Sequence, residues 1–597
     1  MSIYVSYTQQ NDKVLDRMYI KDSIAARATS KALESNVVAK EVKNVLFRNI
    51  YSRSTYNEEN EFNKEIERLK RFDNKKIDTI IYRQVNVFGE NVYDTTSVSN
   101  SFELFLSKKI HANTKQKIIK NRYMLLSSGQ YFSPYLAYEN ARLIRSSGVF
   151  HDVRMLPIIN PNDTNHIILI VSIQDAFPYG FSFSPNSPSS IEFGIENRNL
   201  FGTLHQLSTN YKIDTRNPNQ TIGYRLDYRV PNIIKRSFFD AFASYQNYAL
   251  DRSIRFGIIR EFVRPEMRWA GGIISEYIDQ SKDKSNRDLV RFQRLNQQAW
   301  VSHAFPFRSQ NTTIHAIITG VKFSKTDHIS RPGVTIDSNY SFWNTNLALY
   351  SLGFSRVRFV QDRLLNGFGR TEDIPIGLSI NGVAGLDYTE FGLRNYYGFQ
   401  LLNRYYNQKS NYISIHARLG MYSRQNALSQ GVFDINFQLA TKAFHLGSFR
   451  LRNFFNTRGT IGINHDSTDF ITLSPDNGIR GLNNFDYRGN HRFTMSFQSN
   501  LFLPISVAGF RFSIYGLLEL AKINNDVHSF FQTPLRSGAT IGLAVKNENL
   551  IFDVLQFQYG RYPSTSNLNQ SGFLITTILP FRFQNMDISK PNQVVYE

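Results

Sequence analysis

The sequence of 597 residues contains no cysteine, which excludes disulfides, thiolate metal sites and cysteine nucleophiles. It also has no apolar run near the ~20 residues that a membrane-spanning helix needs, since the longest run, Ile167–Ile173, is far too short. The first residues contain no basic segment followed by an apolar stretch, so no signal peptide is expected there. A helical membrane protein is therefore excluded. A membrane β-barrel is not, because its strands alternate apolar with polar residues.

The net charge of +20 at pH 7 raises the question of nucleic-acid binding. The basic residues are dispersed and recur at alternate positions in the later segments, whereas a nucleic-acid site gathers them into one patch or stripe. Histidines such as His205, His315 and His416 lack the spacing of metal ligands, and the sequence has no glycine-rich phosphate loop or nucleophile motif. We therefore expect no nucleic-acid partner, no enzymatic activity, no metal and no cofactor.

Composition divides the chain into five segments. Residues 1–75 are polar and predict a helix-rich N-terminal segment. Residues 76–177 mix strand-like and helix-like stretches and predict an α+β domain, and residues 178–190, rich in proline, serine and glycine, predict a linker. Residues 191–583 are dominated by period-two alternation. For residues 584–597 we expect a disordered tail rather than a segment that docks on a partner.

The alternation in the largest segment extends over stretches of about 10–14 residues, longer than most globular strands. In one of them Tyr224 and Leu226 share one face and Arg225 and Asp227 the other. A soluble antiparallel sandwich alternates in the same way. The length of the stretches and the arginines deep within them favour a membrane barrel with a wet interior. Segmentation gives between about 16 and 19 strands, and single-chain bacterial barrels have even counts.

The segment 76–177 has the order strand, helix, helix, strand, strand. Ser133 is suited to cap the second helix, with Pro134 in its first turn and Gly148 after its end. The stretch Leu125–Met155, LLSSGQYFSPYLAYENARLIRSSGVFHDVRM, resembles the helix–helix–strand part of a POTRA domain, the periplasmic module of the BamA/TamA outer-membrane assembly family. The resemblance implies an α+β POTRA-like periplasmic domain in front of an all-β transmembrane barrel.

A triplet in a long loop carries the second part of the resemblance. Barrels of this family have a Val/Ile-Arg-Gly motif in the sixth external loop, which folds back into the lumen, and Ile479-Arg480-Gly481 matches it. A confined arginine needs a partner, because an unpaired desolvated charge is costly. The family pairs it with an acidic residue of a later strand, and Glu519 stands at the matching position, with Ala521 where the family has glycine. A solvated Arg480 and a Glu519 paired elsewhere are the alternatives.

Two further stretches resemble the first and last strands of such a barrel. Residues 191–202, IEFGIENRNLFG, match the first strand and its turn, and five strand candidates after the Arg-Gly loop agree with the family's barrels of about 16 strands. In this family the first and last strands meet in a weak lateral seam. A proline there lacks the amide proton that a ladder needs. The residues expected at the seam are Ile191, Phe193, Gly194, Ile195, Gly572, Phe573, Ile575, Pro580 and Phe583.

The resemblance implies a function in the bacterial outer membrane, with the N-terminal region in the periplasm. The expected function is that of an insertase or translocation pore that handles polypeptides without covalent chemistry. Its partners would be unfolded outer-membrane or exported polypeptides, outer-membrane lipid and lipopolysaccharide, and periplasmic or lipoprotein accessory subunits. Two alternatives stay open. One is a passive outer-membrane channel or receptor, and the other is a scaffold subunit of a larger envelope complex.

Overall fold

The computed structural model describes most of the chain beyond residue 66. The described residues are 67–85, 87, 92, 113–187, 190–215, 220–234, 237–264, 266–283, 289–308, 314–369, 372–407, 411–425, 427–466, 469–474, 477–480, 487–507, 510–525, 530–547, 550–552, 554–562, 570–577 and 588–596. Among them no helix is both long and apolar enough to cross a membrane. The predicted helix-rich segment 1–75 lies almost entirely outside the described residues.

The first folded unit is a small α/β domain with the element order that the sequence predicts. Its elements are β1 (Lys76–Val85), α1 (Gln116–Arg122), α2 (Pro134–Ser146), β2 (Phe150–Asn160) and β3 (Asp163–Asp175). They build a three-stranded sheet in which β3 is central, parallel to β1 and antiparallel to β2. The buried apolar side chains of the helices and the sheet form one core.

Helix α2 begins and ends where its sequence signals lie. The Ser133 side chain accepts a hydrogen bond from the backbone amide of Leu136, and Pro134 occupies the first turn, where no amide partner is needed. The chain leaves the helix through Gly148, whose φ of +71° suits glycine. These local rules explain why the order of the domain could be predicted from the sequence.

The second unit is a closed antiparallel barrel. The strands of its first half are β4 (Phe177–Ser187), β5 (Ser190–Leu200), β6 (His205–Asp214), β7 (Ile222–Val230), β8 (Asp240–Tyr248), β9 (Asp251–Arg260), β10 (Trp269–Asp283), β11 (Leu289–Arg308), β12 (Ile314–Ser330) and β13 (Thr345–Asp362). Each described strand of this half pairs with its sequence neighbour, as in an up-and-down barrel.

The second half continues in the same way around a long loop, residues 464–490. Its strands are β14 (Glu372–Thr389), β15 (Gly392–Tyr406), β16 (Tyr412–Arg424), β17 (Ala427–Ala440), β18 (Phe444–Leu446), β19 (Phe449–Ile463), β22 (His491–Val507), β23 (Phe510–Asn524), β24 (Arg536–Asn547), β25 (Leu550–Phe552), β26 (Leu555–Tyr562) and β27 (Gln570–Thr576). Within the loop, β20 (Ile471–Thr472) and β21 (Arg488–Gly489) form a separate two-stranded sheet.

The expectation of about 16 strands is wrong. Counting strands of seven residues or more, the described barrel has twenty, of which fifteen precede and five follow the long loop. The five strands after the loop agree with the prediction, so the error lies before it. One of the tight turns there, Ala249-Leu250, contains none of the glycine, proline or asparagine that marks a turn in a sequence.

The expectation of a linker at residues 178–190 is also wrong. Residues 177–187 form strand β4, which pairs with β5 and lies beside β27 in the closed order. The barrel therefore begins at Phe177, not at Ile191. Its proline, serine and glycine predict a linker, but such residues are also tolerated in a strand at the closure of a barrel.

The two faces of the barrel wall differ as the alternation predicts. In β13, Leu349 and Ser351 point inward and are 2% and 1% exposed, whereas Tyr350 and Leu352 point outward and are 50% and 54% exposed. Large exposed apolar side chains recur on the outer face of almost every strand. A continuous apolar exterior of this extent fits contact with lipid rather than water.

The α/β domain is docked on one end of the barrel, here called the domain end. Turn 201–204 meets the domain there, where the amide of Lys115 donates to the carbonyl oxygen of Gly202 at 3.0 Å. Leu204, Phe238 and Met267, from three such turns, are buried in the core of the domain. The opposite end, which carries the long loop, is here called the loop end.

Two arginines of α2 fix this docking. Arg145 Nε and Nη2 donate to the two carboxylate oxygens of Asp373 in β14 at 2.9 and 3.0 Å. Arg142 donates to the carbonyl oxygen of Val263 at 2.8 Å and lies 3.9 Å from the ring centroid of Phe359. Burial opposes the charge of Arg145, but the Asp373 carboxylate outweighs it, so the pKa of Arg145 is raised.

The C-terminal tail is not disordered where the structure describes it. Residues 588–596 lie along the inner wall, and Ile588 and Ser589 are buried there. Val594 donates its backbone amide to the Tyr396 hydroxyl at 2.7 Å. The prediction of disorder is wrong because the partners of the tail come from strands far apart in the sequence.

The docking pair gives a testable prediction. Asp373→Asn removes the carboxylate that accepts two hydrogen bonds from the buried Arg145 guanidinium and leaves only that of Asp152, 3.9 Å away, at a cost of up to about 3–5 kcal/mol. We expect the backbone amides of α2 to exchange with deuterium much faster in this variant, measured by mass spectrometry. The control is Asp327→Asn, whose Lys325 partner at 2.8 Å lies on a half-exposed surface, where a pair contributes about 0–1 kcal/mol. Equal exchange in the two variants would contradict the role of Arg145.

Candidate functional site

The long loop between β19 and β22 returns into the barrel instead of extending away from it. The pairing of β20 with β21 brings its two arms together, and the Arg492 guanidinium donates to the carbonyl oxygen of Thr472 at 2.8 Å. Between the arms, Ile479 is fully buried and Arg480 is 7% exposed. The loop therefore places the predicted Ile-Arg pair inside the wall, and the alternative of a solvated Arg480 is wrong.

Arg480 reaches three strands of the inner wall at once. Its backbone amide donates to Glu519 Oε2 in β23 at 3.1 Å, and its Nε lies 3.6 Å from Glu519 Oε1. Its Nη1 donates to Gln556 Oε1 in β26 at 3.0 Å, and its Nη2 to Gln498 Oε1 in β22 at 3.1 Å. The guanidinium is thus held by one carboxylate and two amides within a buried site.

Arg480 and Glu519 do not form a bidentate ion pair. Glu519 uses one oxygen for the Arg480 amide and approaches the guanidinium only through Nε, while the two terminal nitrogens bind glutamines. Both charged groups are almost fully buried, so each compensates the other where neither is solvated. The alternative that Glu519 pairs elsewhere is not seen among its described contacts.

Ile479 fixes the loop by packing. It belongs to a buried cluster, here called the loop cluster, whose other members are Ile471, Leu473, Ala521, Ile523 and Tyr562, with Tyr487 and Tyr596 packed against it. An added Cβ at Gly538 would lie 2.9 Å from Ile479 Cγ2. Ala521, which stands where the family has glycine, contributes its buried methyl group to this cluster on the same strand as Glu519. Gly481, the third residue of the triplet, lies outside the described residues.

A second polar group anchors the loop to the opposite side of β19. Asp434 accepts from Arg418 at 2.7 Å and from Arg458 at 2.7 Å, and its side chain is almost fully buried. Arg458 also donates to Asn477 Oδ1, three residues before Arg480, at 3.0 Å. Arg418 is therefore engaged within the wall.

Sequence reasoning missed Gln556 and assigned no role to Gln498. A signal was available for Gln556, because the stretch LQFQYGRY of β26 alternates and places Gln556 and Gln558 on the inner face. What the pattern does not show is which inward residue lies within reach of the loop. Among the described residues, no group of three or more histidine, aspartate or glutamate side chains has the geometry of a metal site.

The expected seam residues do not meet. Ile191, Phe193, Gly194 and Ile195 lie on β5, whereas Gly572, Phe573 and Ile575 lie on β27, and β4 separates the two strands. In β4, Phe181 pairs with Ile195 and Phe183 with Phe193. The closure of the barrel is thus between β27 and β4, one strand away from the prediction, because the true first strand was taken for a linker. Pro580 and Phe583 lie outside the described residues.

Comparison with known proteins finds no matching family model and no matching curated protein. Similar solved structures include BamA from Haemophilus ducreyi lacking POTRA domains 1–3, at 13% identity over 84% of each chain, with a TM-score of 0.33. CdiB from Acinetobacter baumannii is 13% identical over 84% of this chain and 73% of its own, with a TM-score of 0.40. CdiB from Escherichia coli is 10% identical over 84% and 75%, with a TM-score of 0.38.

The Arg480 site predicts that the loop is held by charge as well as by packing. Arg480→Ala leaves Glu519 buried without its cation, at a cost of about 3–5 kcal/mol. We expect the loop 464–490 to become sensitive to added protease in the folded, membrane-inserted protein, measured by the rate of cleavage. Arg291→Ala is the control, because Arg291 is paired with Asp279 but is 62% exposed. A loop that stays as resistant as in the control would contradict the anchoring role.

Proposed function

We propose that this protein is a bacterial outer-membrane insertase or translocation pore of the BamA/TamA type. It inserts or exports polypeptides without covalent chemistry, through a lateral seam between β27 and β4. In this proposal the α/β domain is a POTRA domain on the periplasmic side, and the loop end faces the cell exterior. Four observations support it: the unequal length of the strands around the barrel, the composition of the closing strands, the position of the docked domain and the anchored loop.

The difference in strand length between the two sides of the barrel is the observation that carries the proposal. As described, the strands on both sides of the closure are short, with 7–11 residues each in β26, β27 and β4–β9. The opposite wall, β10–β14, has strands of 15–20 residues. A tilted strand needs about 9–11 residues to cross the hydrocarbon core, so the wall around the closure is at or below that length. Lipid beside it is expected to thin, which lowers the barrier to inserting another strand.

The closing strands themselves favour opening. Strand β4 contains two residues without a backbone amide proton, Pro178 and Pro185, and it also pairs with the short segment β25 in parallel orientation. Each missing amide removes one potential ladder hydrogen bond. Unpaired backbone groups in lipid cost several kcal/mol each. A client strand that supplies its own backbone groups to β27 or β4 would relieve that cost by β-augmentation.

The docked domain stands at the place where a client would arrive. Its last strand, β3, ends at Asp175, and β4 begins two residues later at Phe177. The domain is therefore directly continuous with one of the two closing strands. In this proposal a polypeptide that reaches the domain is delivered to the closure, and accessory subunits would bind the domain or the segment before it.

A passive channel or receptor is the second candidate, favoured by the excess of arginine on the inner wall. Arg418, Arg458 and Arg480 are, however, engaged with inner-wall partners, and both the loop and the tail occupy the interior. A scaffold role in a larger complex stays a third hypothesis. Neither alternative gives a reason for the short strands at the closure.

Locking the closure tests the proposal. Phe181→Cys combined with Phe552→Cys joins β4 to β25, which pair directly at these positions. The chain contains no cysteine, so no other disulfide competes. We expect the oxidised protein to lose insertion of β-barrel clients into vesicles, and reduction to restore it.

The control pair is Phe183→Cys with Phe193→Cys, which joins β4 to β5, partners on the side away from the closure. Oxidation of this pair should leave insertion unchanged, because that ladder stays closed in either state. Equal activity of the oxidised protein with either pair would argue against a lateral seam. A large ion conductance without any client insertion would favour the passive channel.

A further inference from the structure

Residues 588–596, here called the tail segment, follow a defined path along the inner wall. At the domain end Ile588 packs in a buried cluster with Ala304, Ala316 and Ile318 of β11 and β12. At the loop end the Tyr596 ring stacks on His465, with centroids 3.8 Å apart and planes 19° apart. The segment therefore extends from one end of the interior toward the other.

Polar groups of the wall satisfy the backbone and side chains of the tail segment along this path. Lys322 in β12 donates to Asn592 Oδ1 at 3.1 Å, and Tyr396 in β15 accepts from the Val594 amide at 2.7 Å. Further hydrogen bonds join Ser302 to the Ser589 carbonyl, Gln593 to Tyr422, and Tyr596 to the Asn490 carbonyl. The Lys590 ammonium lies 4.6 Å from the ring centroid of Trp300. These contacts come from strands of the inner wall and from the base of the long loop.

Glycines stand where the tail segment touches the wall. At four inward-facing glycines, each on a different strand, a Cβ atom built on the glycine would lie 2.5 to 3.2 Å from an atom of the tail segment. The pairs are Gly353 with Ile588, Gly320 with Pro591, Gly420 with Val594 and Gly462 with Tyr596. Glycine weakens a strand and marks places where another chain approaches closely. Four such contacts, spread over the tail segment from Ile588 to Tyr596, indicate a groove shaped for an extended chain.

The contact between the tail segment and the wall is clearest at Gly462. The three atoms nearest to an added Cβ all belong to the Tyr596 side chain, at 2.5 to 2.8 Å. At Gly320, Gly353 and Gly420 the wall itself also approaches the added atom. The space above Gly462 is therefore occupied by the tail segment alone.

We infer that the inner wall of this barrel contains a binding site for an extended polypeptide and that the tail segment is its intramolecular occupant. The site takes an aliphatic residue, a proline, a second aliphatic residue and an aromatic ring at the spacing 588, 591, 594 and 596. Another polypeptide segment of this chemistry binds only when the tail segment leaves. The inference needs the barrel but not the insertase activity, so the two can fail separately.

Peptide binding tests the site. A fluorescent peptide of sequence ISKPNQVVYE, residues 588–597, is titrated into the refolded protein in detergent, either full length or lacking these residues. We expect the shortened protein to bind it at least about tenfold more tightly, since a tethered occupant competes at a high effective concentration. A scrambled peptide should not bind. Equal binding by the two proteins, or none by the shortened protein, would overturn the inference.

Two glycine variants of the shortened protein provide a matched comparison on one strand. Gly462→Val fills the space of the Tyr596 ring and should abolish binding of the peptide. Gly459→Val lies three residues away in β19, where an added Cβ meets only Ile435 at an ordinary 3.6 Å, and should bind like the parent. Undiminished binding by Gly462→Val would overturn the assigned groove.

A disulfide keeps the inference testable in the full chain if the shortened protein does not fold. Gly420→Cys with Val594→Cys places two Cβ atoms 2.8 Å apart, so the tail segment must move away from the wall by about 1 Å to reach the usual Cβ separation of a disulfide, about 3.8 Å. Oxidation should form the bond in the native protein. Gly420→Cys with Val595→Cys is the control, because Val595 is 52% exposed and should not bridge. Failure of the first pair to form a disulfide would place the tail segment away from the wall and end the inference.

Discussion

Closure of the sheet is the constraint on which the structure depends. In lipid every backbone amide and carbonyl needs a partner within the protein, so a spanning sheet has no free edge. The twenty described strands of seven residues or more satisfy this requirement but enclose an interior wider than side chains alone can fill, since barrels of 16–18 strands already leave an aqueous channel. Other parts of the chain, the long loop and the tail segment, occupy this interior and are anchored to its wall.

The long loop and the tail segment share one anchor. Arg480 and Ile479 attach the loop to β22, β23 and β26, and Tyr596 packs against the same loop cluster that contains Ile479. Tyr596 also binds Asn490 at the base of the loop. The tail segment and the long loop are therefore in direct contact within one buried cluster.

The domain end has its own anchor, which joins the α/β domain to the wall. Arg145 and Arg142 hold α2 on strands and turns from both halves of the barrel. The domain, the loop and the tail segment thus depend on buried guanidinium groups or on packing against a guanidinium site. In each case a desolvated cation is stable only while its partners stay in place, which makes these contacts specific to one arrangement.

The sequence by itself determined those features of the protein that depend on neighbouring residues in the chain. Period-two alternation predicted the two faces of the wall, and Ser133 and Gly148 predicted the limits of α2, whereas the pairing of Arg480 with Glu519 was implied by the resemblance to the barrel family. The tertiary structure alone decided what depends on distant residues: that residues 177–187 close the barrel, that twenty strands rather than about sixteen surround it, and that the tail segment lies inside. Proline and serine are compatible with a linker and with a closing strand, and turns such as Ala249-Leu250 carry no turn signal. The partners of the tail segment become neighbours only when the sheet closes, so no local pattern contains them.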